Sequence, residues 1–93
     1  MDEKTLRLIV KGRVQGVGFR WYVVDAARRL DLAGWVKNCD DGTVEIAAAG
    51  REDALSKLEI AVKNGPRGAH VSGIARSELK GPAPLERPFS IER

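Results

Sequence analysis

Apolar residues change their spacing across a short glycine-rich stretch, and that change narrows the folds open to this chain. Before it, Leu6, Leu8 and Val10 alternate with Arg7, Ile9 and Lys11, the period of a strand with one apolar face. After it, Phe19, Val23, Ala26, Ala27 and Leu30 fall at i, i+4, i+7, i+8 and i+11, one stripe of a helix. Gly12 to Gly18 holds three glycines and reads as the turn between them. A strand therefore passes directly into a helix, and the turn that joins them lies at an edge of whatever sheet forms.

The rest of the chain repeats this theme. Gly34–Asn38 and Thr43–Ala47 read as a second and third strand, with Asp41-Gly42 as the hairpin signal between them. Gly50-Arg51-Glu52-Asp53 opens a second helix, with acids where the dipole favours them, and Ala54, Leu55, Leu58, Ala61 and Val62 form its stripe. Lys63-Asn64-Gly65-Pro66 stops it. Val71–Leu79 reads as a fourth strand, Gly81–Pro84 as a loop and Phe89–Ile91 as a short final strand. The order β-α-β-β-α-β plus a terminal strand is the split βαβ, ferredoxin-like α+β sandwich. It predicts an antiparallel sheet in the order 4-1-3-2 with two helices on one face. Strands 1 and 2 then end at the same edge, about 9–10 Å apart with strand 3 between them. The start of the first helix and Asn38 are expected to converge there.

Length and composition exclude several alternatives. Ninety-three residues make one domain, taken as 1–93, with one core. No apolar run approaches the roughly 20 residues of a membrane span, and the start lacks the apolar core of a signal peptide, so a cytoplasmic protein with no membrane partner is expected. One cysteine, Cys39, allows neither an internal disulfide nor a zinc ribbon. The net charge of +3 favours anionic partners without requiring nucleic acid. Two basic clusters stand out: Lys11, Arg13 and Arg20 lie among the glycines, and Arg28-Arg29 reads as a solvated face.

Gly12-Arg13-Val14-Gln15-Gly16-Val17-Gly18-Phe19-Arg20 suits an anion. Glycines let a turn aim successive amides inward, and a helix N-terminus adds about half a positive charge. Phosphate is the natural occupant. The loop is not a Walker loop, because Gly16 follows Gly12 too soon and no Lys-Ser/Thr follows. It is not a dinucleotide fingerprint either, because Trp21 stands where a third glycine belongs. Arg20 sits in the first helical turn, where a cation faces the positive end of the dipole; an anion between them would explain it, and its fork would grip two phosphate oxygens. The same glycines also fit a purely structural turn, and Asn38 also fits a hairpin end.

These residues resemble the signature loop of the acylphosphatases almost letter for letter. Gly34-Trp35-Val36-Lys37-Asn38 with Asp41-Gly42-Thr43-Val44-Glu45 is similar to that family's second block, and Gly65-Pro66 to a third. The resemblance spans nearly the whole chain. It implies the ferredoxin-like fold and hydrolysis of carboxyl–phosphate mixed anhydrides with no metal and no cofactor. It makes Arg20 the phosphate-binding arginine and Asn38 the residue that orients the attacking water. The backbone of Gln15, Gly16, Val17, Gly18 and Phe19 becomes the phosphate cradle. The implied partners are a small acyl phosphate and inorganic phosphate, and the chain is expected to act as a monomer. Asp31 stands where many members carry glycine, Cys39 lies in a turn the family varies, and Gly81–Pro88 has no motif to compare.

Acyl phosphate chemistry also explains what the sequence lacks. No Ser-His-Asp set or metal cluster is legible, but a carboxylate leaving group with a pKa near 4–5 departs without a general acid. Positioning and preorganised charge carry such a phosphoryl transfer. The Asn38 carboxamide can accept a hydrogen bond from water but cannot take its proton. His70 and Cys39 have no assigned chemistry. Trp21 and Trp35 are expected to pack rather than to stack bases, and strands 1 and 3 lack the paired aromatics of an RNA-recognition sheet. A phosphate-binding module without catalysis is the alternative, because fold alone does not decide function.

Overall fold

The computed structural model describes residues 3–79 and 85–92. The elements run β1 (Lys4–Arg13), α1 (Phe19–Arg29), β2 (Ala33–Asn38), β3 (Val44–Gly50), α2 (Glu52–Asn64), β4 (His70–Leu79) and β5 (Ser90–Ile91). The expected loop at Gly81–Pro84 lies outside the described residues.

Alternation in β1 works as the sequence implies: Leu6, Leu8 and Val10 are buried under the helices while Arg7 and Lys11 are exposed. Val36, Val44 and Ile46 extend this inner face across β2 and β3, and Phe19, Val23, Ala27, Leu55, Leu58 and Val62 cover it from α1 and α2. Val24 joins the core as well, so the buried stripe of α1 is wider than the i, i+4 pattern. Tyr22 fastens the helices together by donating its hydroxyl to the Ala61 carbonyl at 2.9 Å. On the outer face Glu45 draws in Arg7 at 2.6 Å and Lys37 at 3.8 Å.

The sheet order is β4-β1-β3-β2-β5. The four long strands pair antiparallel in the expected order. The difference lies at the edge, where β5 pairs parallel with β2, Trp35 opposite Ser90 and Val36 opposite Ile91, so the sheet is mixed. Phe89, fully buried, anchors this segment, and the Phe89 carbonyl accepts a 2.8 Å bond from Arg28. Arg28 and Arg29 are both exposed, as a solvated face implies, but Arg28 also serves as a structural tie through this bond, whereas Arg29 pairs only with Asp25. Because β5 runs with β2, Ile91 and Glu92 finish at the edge where Asn38 ends its strand.

Two turns are fixed by specific bonds, one at each edge of the sheet. At the end of α1, Leu32 donates to the Ala27 carbonyl and Asp31 to that of Arg28, a Schellman closure with Asp31 in the left-handed region at φ 56°. In the β2–β3 turn, the Thr43 amide and hydroxyl both donate to Asp41 Oδ1, at 3.0 and 2.6 Å. Those bonds, the hydroxyl's first, hold the Asp41 carboxyl below its ordinary range.

β1 also runs further than its alternation predicts, through Gly12 and Arg13, which pair with Val71 and His70 across a register shift on β4. Gly12 therefore belongs to the strand and not to the turn. A Cβ there would run into the His70 carbonyl and the Ser72 amide, at φ 126°. Gly12→Ala is expected to destabilise the fold by about 3 kcal/mol or more, since backbone strain and a main-chain collision combine; urea unfolding with a loss under 1 kcal/mol would contradict the contact. Asp41 supplies a pH test. A depressed carboxyl contributes stability in full above its unfolded pKa, about 3.9, and loses it as pH falls through the lower folded value. The melting-temperature advantage of the protein over Asp41→Ala should be constant above about pH 5 and shrink below about pH 4; an advantage unchanged to pH 2 would argue against it.

Candidate active site

The turn from Gln15 to Gly18 carries Gly16 and Gly18 at φ 75°, while Val17 between them is not in the positive-φ region. This alternation of handedness is the backbone form that turns successive amides toward one side. A Cβ at Gly16 or Gly18 would meet nothing within 4 Å, so glycine is required there by φ and not by crowding. Among the described residues, the amides of Gln15, Gly16, Val17, Gly18 and Phe19 donate to no protein acceptor. Gly18 caps α1 without a side-chain bond, and the first turn of that helix contains no acid. The contrast with α2 is direct, since Glu52 and Asp53 occupy its first turn. Arg20 follows on α1, half-buried, and among the described residues no carboxylate lies within ion-pair distance of it.

Arg20 and Asn38 share one cavity of about 490 Å³, which Trp21, Ile91 and Glu92 complete. The strand order thus brings together two residues that are eighteen positions apart, as the parallel sense of β1 and β2 requires. Asn38 Oδ1 is buried and has no hydrogen-bond partner among the described residues. An unpaired buried acceptor costs about 1–3 kcal/mol, so a fold keeps one where something else uses it. The loop residues Gln15 to Phe19 are not among the cavity-lining residues; they form the turn leading into Arg20. Their link to Asn38 is the Gln15 side chain, whose amide donates to the carbonyls of Cys39 and Thr43, both at 2.9 Å. One carboxamide therefore fixes the glycine turn against the β2–β3 hairpin beside Asn38.

Other sequence candidates fall elsewhere. Lys11 and Arg13 are exposed on β1 and do not line the cavity, so Arg20 alone of that cluster does. His70 is exposed at the start of β4, opposite Arg13. Cys39 is half-buried in the hairpin turn. Trp35 lies beneath the Lys37 ammonium at 5.4 Å, on the outer face. Trp21 corrects the packing expectation outright, being 67% exposed at the cavity mouth. Its position off the 19/23/26/27/30 stripe was a legible sign of this. Gln15's side chain, Ile91 and Glu92 had no such sign, because their placement depends on tertiary contacts. Among the described residues no three of His, Cys, Asp and Glu cluster in a way that could hold a metal ion, and no helix is long and apolar enough to cross a membrane.

Comparison with known proteins agrees with this geometry. The acylphosphatase family model matches residues 6–91. An acylphosphatase of Koribacter versatilis is 48% identical over 91 residues, covering 96% of this chain and 80% of its own. The crystal structure of acylphosphatase from Bacillus subtilis superimposes with a TM-score of 0.92 at 49% identity, covering 97% of this chain and 99% of that one. That of an acylphosphatase from Coxiella burnetii gives 0.90 at 35% identity, with 98% and 94% covered. With its sheet order, its glycine turn and its relatives in agreement, the chain belongs to the acylphosphatase family, enzymes that release phosphate from acyl phosphates.

Proposed function

We propose that this acylphosphatase works by direct attack of water on phosphorus, with Arg20 and the Gln15–Phe19 amides binding the phosphoryl group and Asn38 orienting the water. The observation that carries the reading is the buried, unpaired Asn38 Oδ1 on the same cavity as Arg20. A water held there has one hydrogen directed to Oδ1, so its lone pair is free to face phosphorus. The guanidinium and the loop amides stabilise the equatorial oxygens, where charge is spread in the transition state. As the new P–O bond forms, the P–O bond to the acyl group breaks and its electron pair leaves with the carboxylate. Asn38 has no site for a proton. One water proton therefore passes to a phosphate oxygen, giving a carboxylate and dihydrogen phosphate with charge and atoms in balance.

No step uses a covalent intermediate, a cofactor or a metal, since a carboxylate of pKa about 4–5 needs no acid to leave. A cytoplasmic monomer with no nucleic-acid partner completes the proposal. The direct test is hydrolysis of benzoyl phosphate in the presence of a chelator, which should proceed undiminished; a rate abolished by the chelator and restored by a divalent cation would overturn the metal-free reading.

Arg20→Ala should lower kcat/KM by about a hundredfold or more, with KM and kcat both affected. Asn38→Ala should lower kcat about a hundredfold with little change in KM, while leaving stability unchanged or raised by about 1 kcal/mol as the orphaned acceptor is removed. Steady-state kinetics and urea unfolding on the same samples measure both; full activity in Asn38→Ala would remove its role. Gln15→Ala should cost about 1–3 kcal/mol of stability through the loss of two part-buried hydrogen bonds, although the Cys39 and Thr43 carbonyls keep the main-chain donors Gly42 and Cys39. Gln15→Glu should cost more, since a carboxylate would face both carbonyls. Equal unfolding midpoints for Gln15→Ala and the unaltered protein would show that the clamp contributes nothing.

A further inference from the structure

The phosphoryl group uses only part of the cavity, and the acyl group bonded to it must occupy some of the remainder. That remainder has a distinct chemistry. Trp21 stands two positions beyond the core residue Phe19, on the opposite side of α1, and is 67% exposed. No packing role explains an indole so exposed, yet it lines the cavity next to Arg20. Across from α1, β5 contributes the half-buried Ile91, and the exposed Glu92 just beyond it is held at the rim by the 2.8 Å bond from its amide to the Val36 carbonyl. An anion-binding cavity with an acid on its wall is a selective arrangement. The carboxylate opposes any second negative charge on the substrate, whereas the indole and the isoleucine offer apolar contact.

We infer that Trp21, Ile91 and Glu92 form an acyl-group subsite that favours aromatic or apolar acyl phosphates and disfavours those whose acyl part carries a second anion. This rests on the reading that Arg20 and Asn38 bracket the phosphoryl group. An aromatic or aliphatic acyl group lying on the indole removes apolar surface from water and gains ring contact. A carboxylate on the acyl chain meets Glu92 in the same cavity; Glu92 is exposed, so the repulsion is modest and weakens with salt.

The experiment compares kcat/KM for acetyl, benzoyl and succinyl phosphate in the unaltered protein, Trp21→Ala, Trp21→Phe and Glu92→Gln, with melting temperatures for each. Trp21→Ala should lower the benzoyl-to-acetyl ratio by about five- to tenfold, mainly through the KM for benzoyl phosphate, and Trp21→Phe should restore most of it. Glu92→Gln should raise the succinyl-to-acetyl ratio by about threefold at low ionic strength, with the gain fading as salt is added. Either ratio remaining within twofold of the unaltered protein's would overturn the subsite. Failure of the unaltered protein to hydrolyse acetyl phosphate would strike the Arg20–Asn38 reading instead, so the two failures are distinguishable.

Discussion

The functional edge depends on one topological constraint: β1, β2 and β5 all run in the same direction, although β3 separates β1 from β2. Because β3 lies between β1 and β2 in antiparallel pairing with both, the two strands must end at the same edge. The glycine turn leaves β1 there, α1 starts there, and Asn38 closes β2 there. β5, parallel to β2, adds Ile91 and Glu92 to the same side. A small domain thereby assembles a cavity from three distant segments. What holds them in register is local. Gln15 ties the turn to the hairpin, and Arg28 with Phe89 ties the final strand to α1.

The charge arrangement at that edge is costly for folding. α1 has a cation in its first turn, no acid there and no side-chain cap, while α2 has the acids that a helix start favours. Asn38 Oδ1 is buried without a partner. Both features run against local stability, and both would be relieved by a bound phosphoryl group and an ordered water. Conflicts between local preference and fold are expected where a site is kept for binding. This contrast between the two helix starts is the reason for placing the phosphate at α1.

Much of this was legible in the sequence, and the exceptions have physical causes. Alternation in β1 and the stripes of α1 and α2 identify those elements, because burial of one face imposes a period on the chain, whereas β4, which buries no residue fully, shows no such period. The order 4-1-3-2 followed from connection rules. The parallel addition of β5 did not, since two residues of ladder carry no directional pattern; Phe89 and Arg28 decide it through contacts sixty-one residues apart. Gly12 looked like part of the turn because sequence cannot tell a glycine needed for positive φ from one needed where β4 approaches closely. Trp21 is expected to pack because large apolar side chains usually are buried, yet it falls outside the stripe and stands exposed. The motif singles out Arg20 and Asn38, which line one cavity, whereas the Gln15 clamp is not legible, since a carboxamide is equally at home exposed in a turn.

In the proposed mechanism, loop amides, a guanidinium and a carboxamide from another strand address a single phosphate. A titration of the ¹⁵N-labelled protein with inorganic phosphate, followed by amide and side-chain NMR shifts, tests it most directly. The amides of residues 15–20, the Arg20 Nε–H and the Asn38 side-chain NH₂ should shift together along one binding curve. Shifts confined to the outer sheet face around Arg7 and Lys37, or separate curves for the turn and for Asn38, would contradict it.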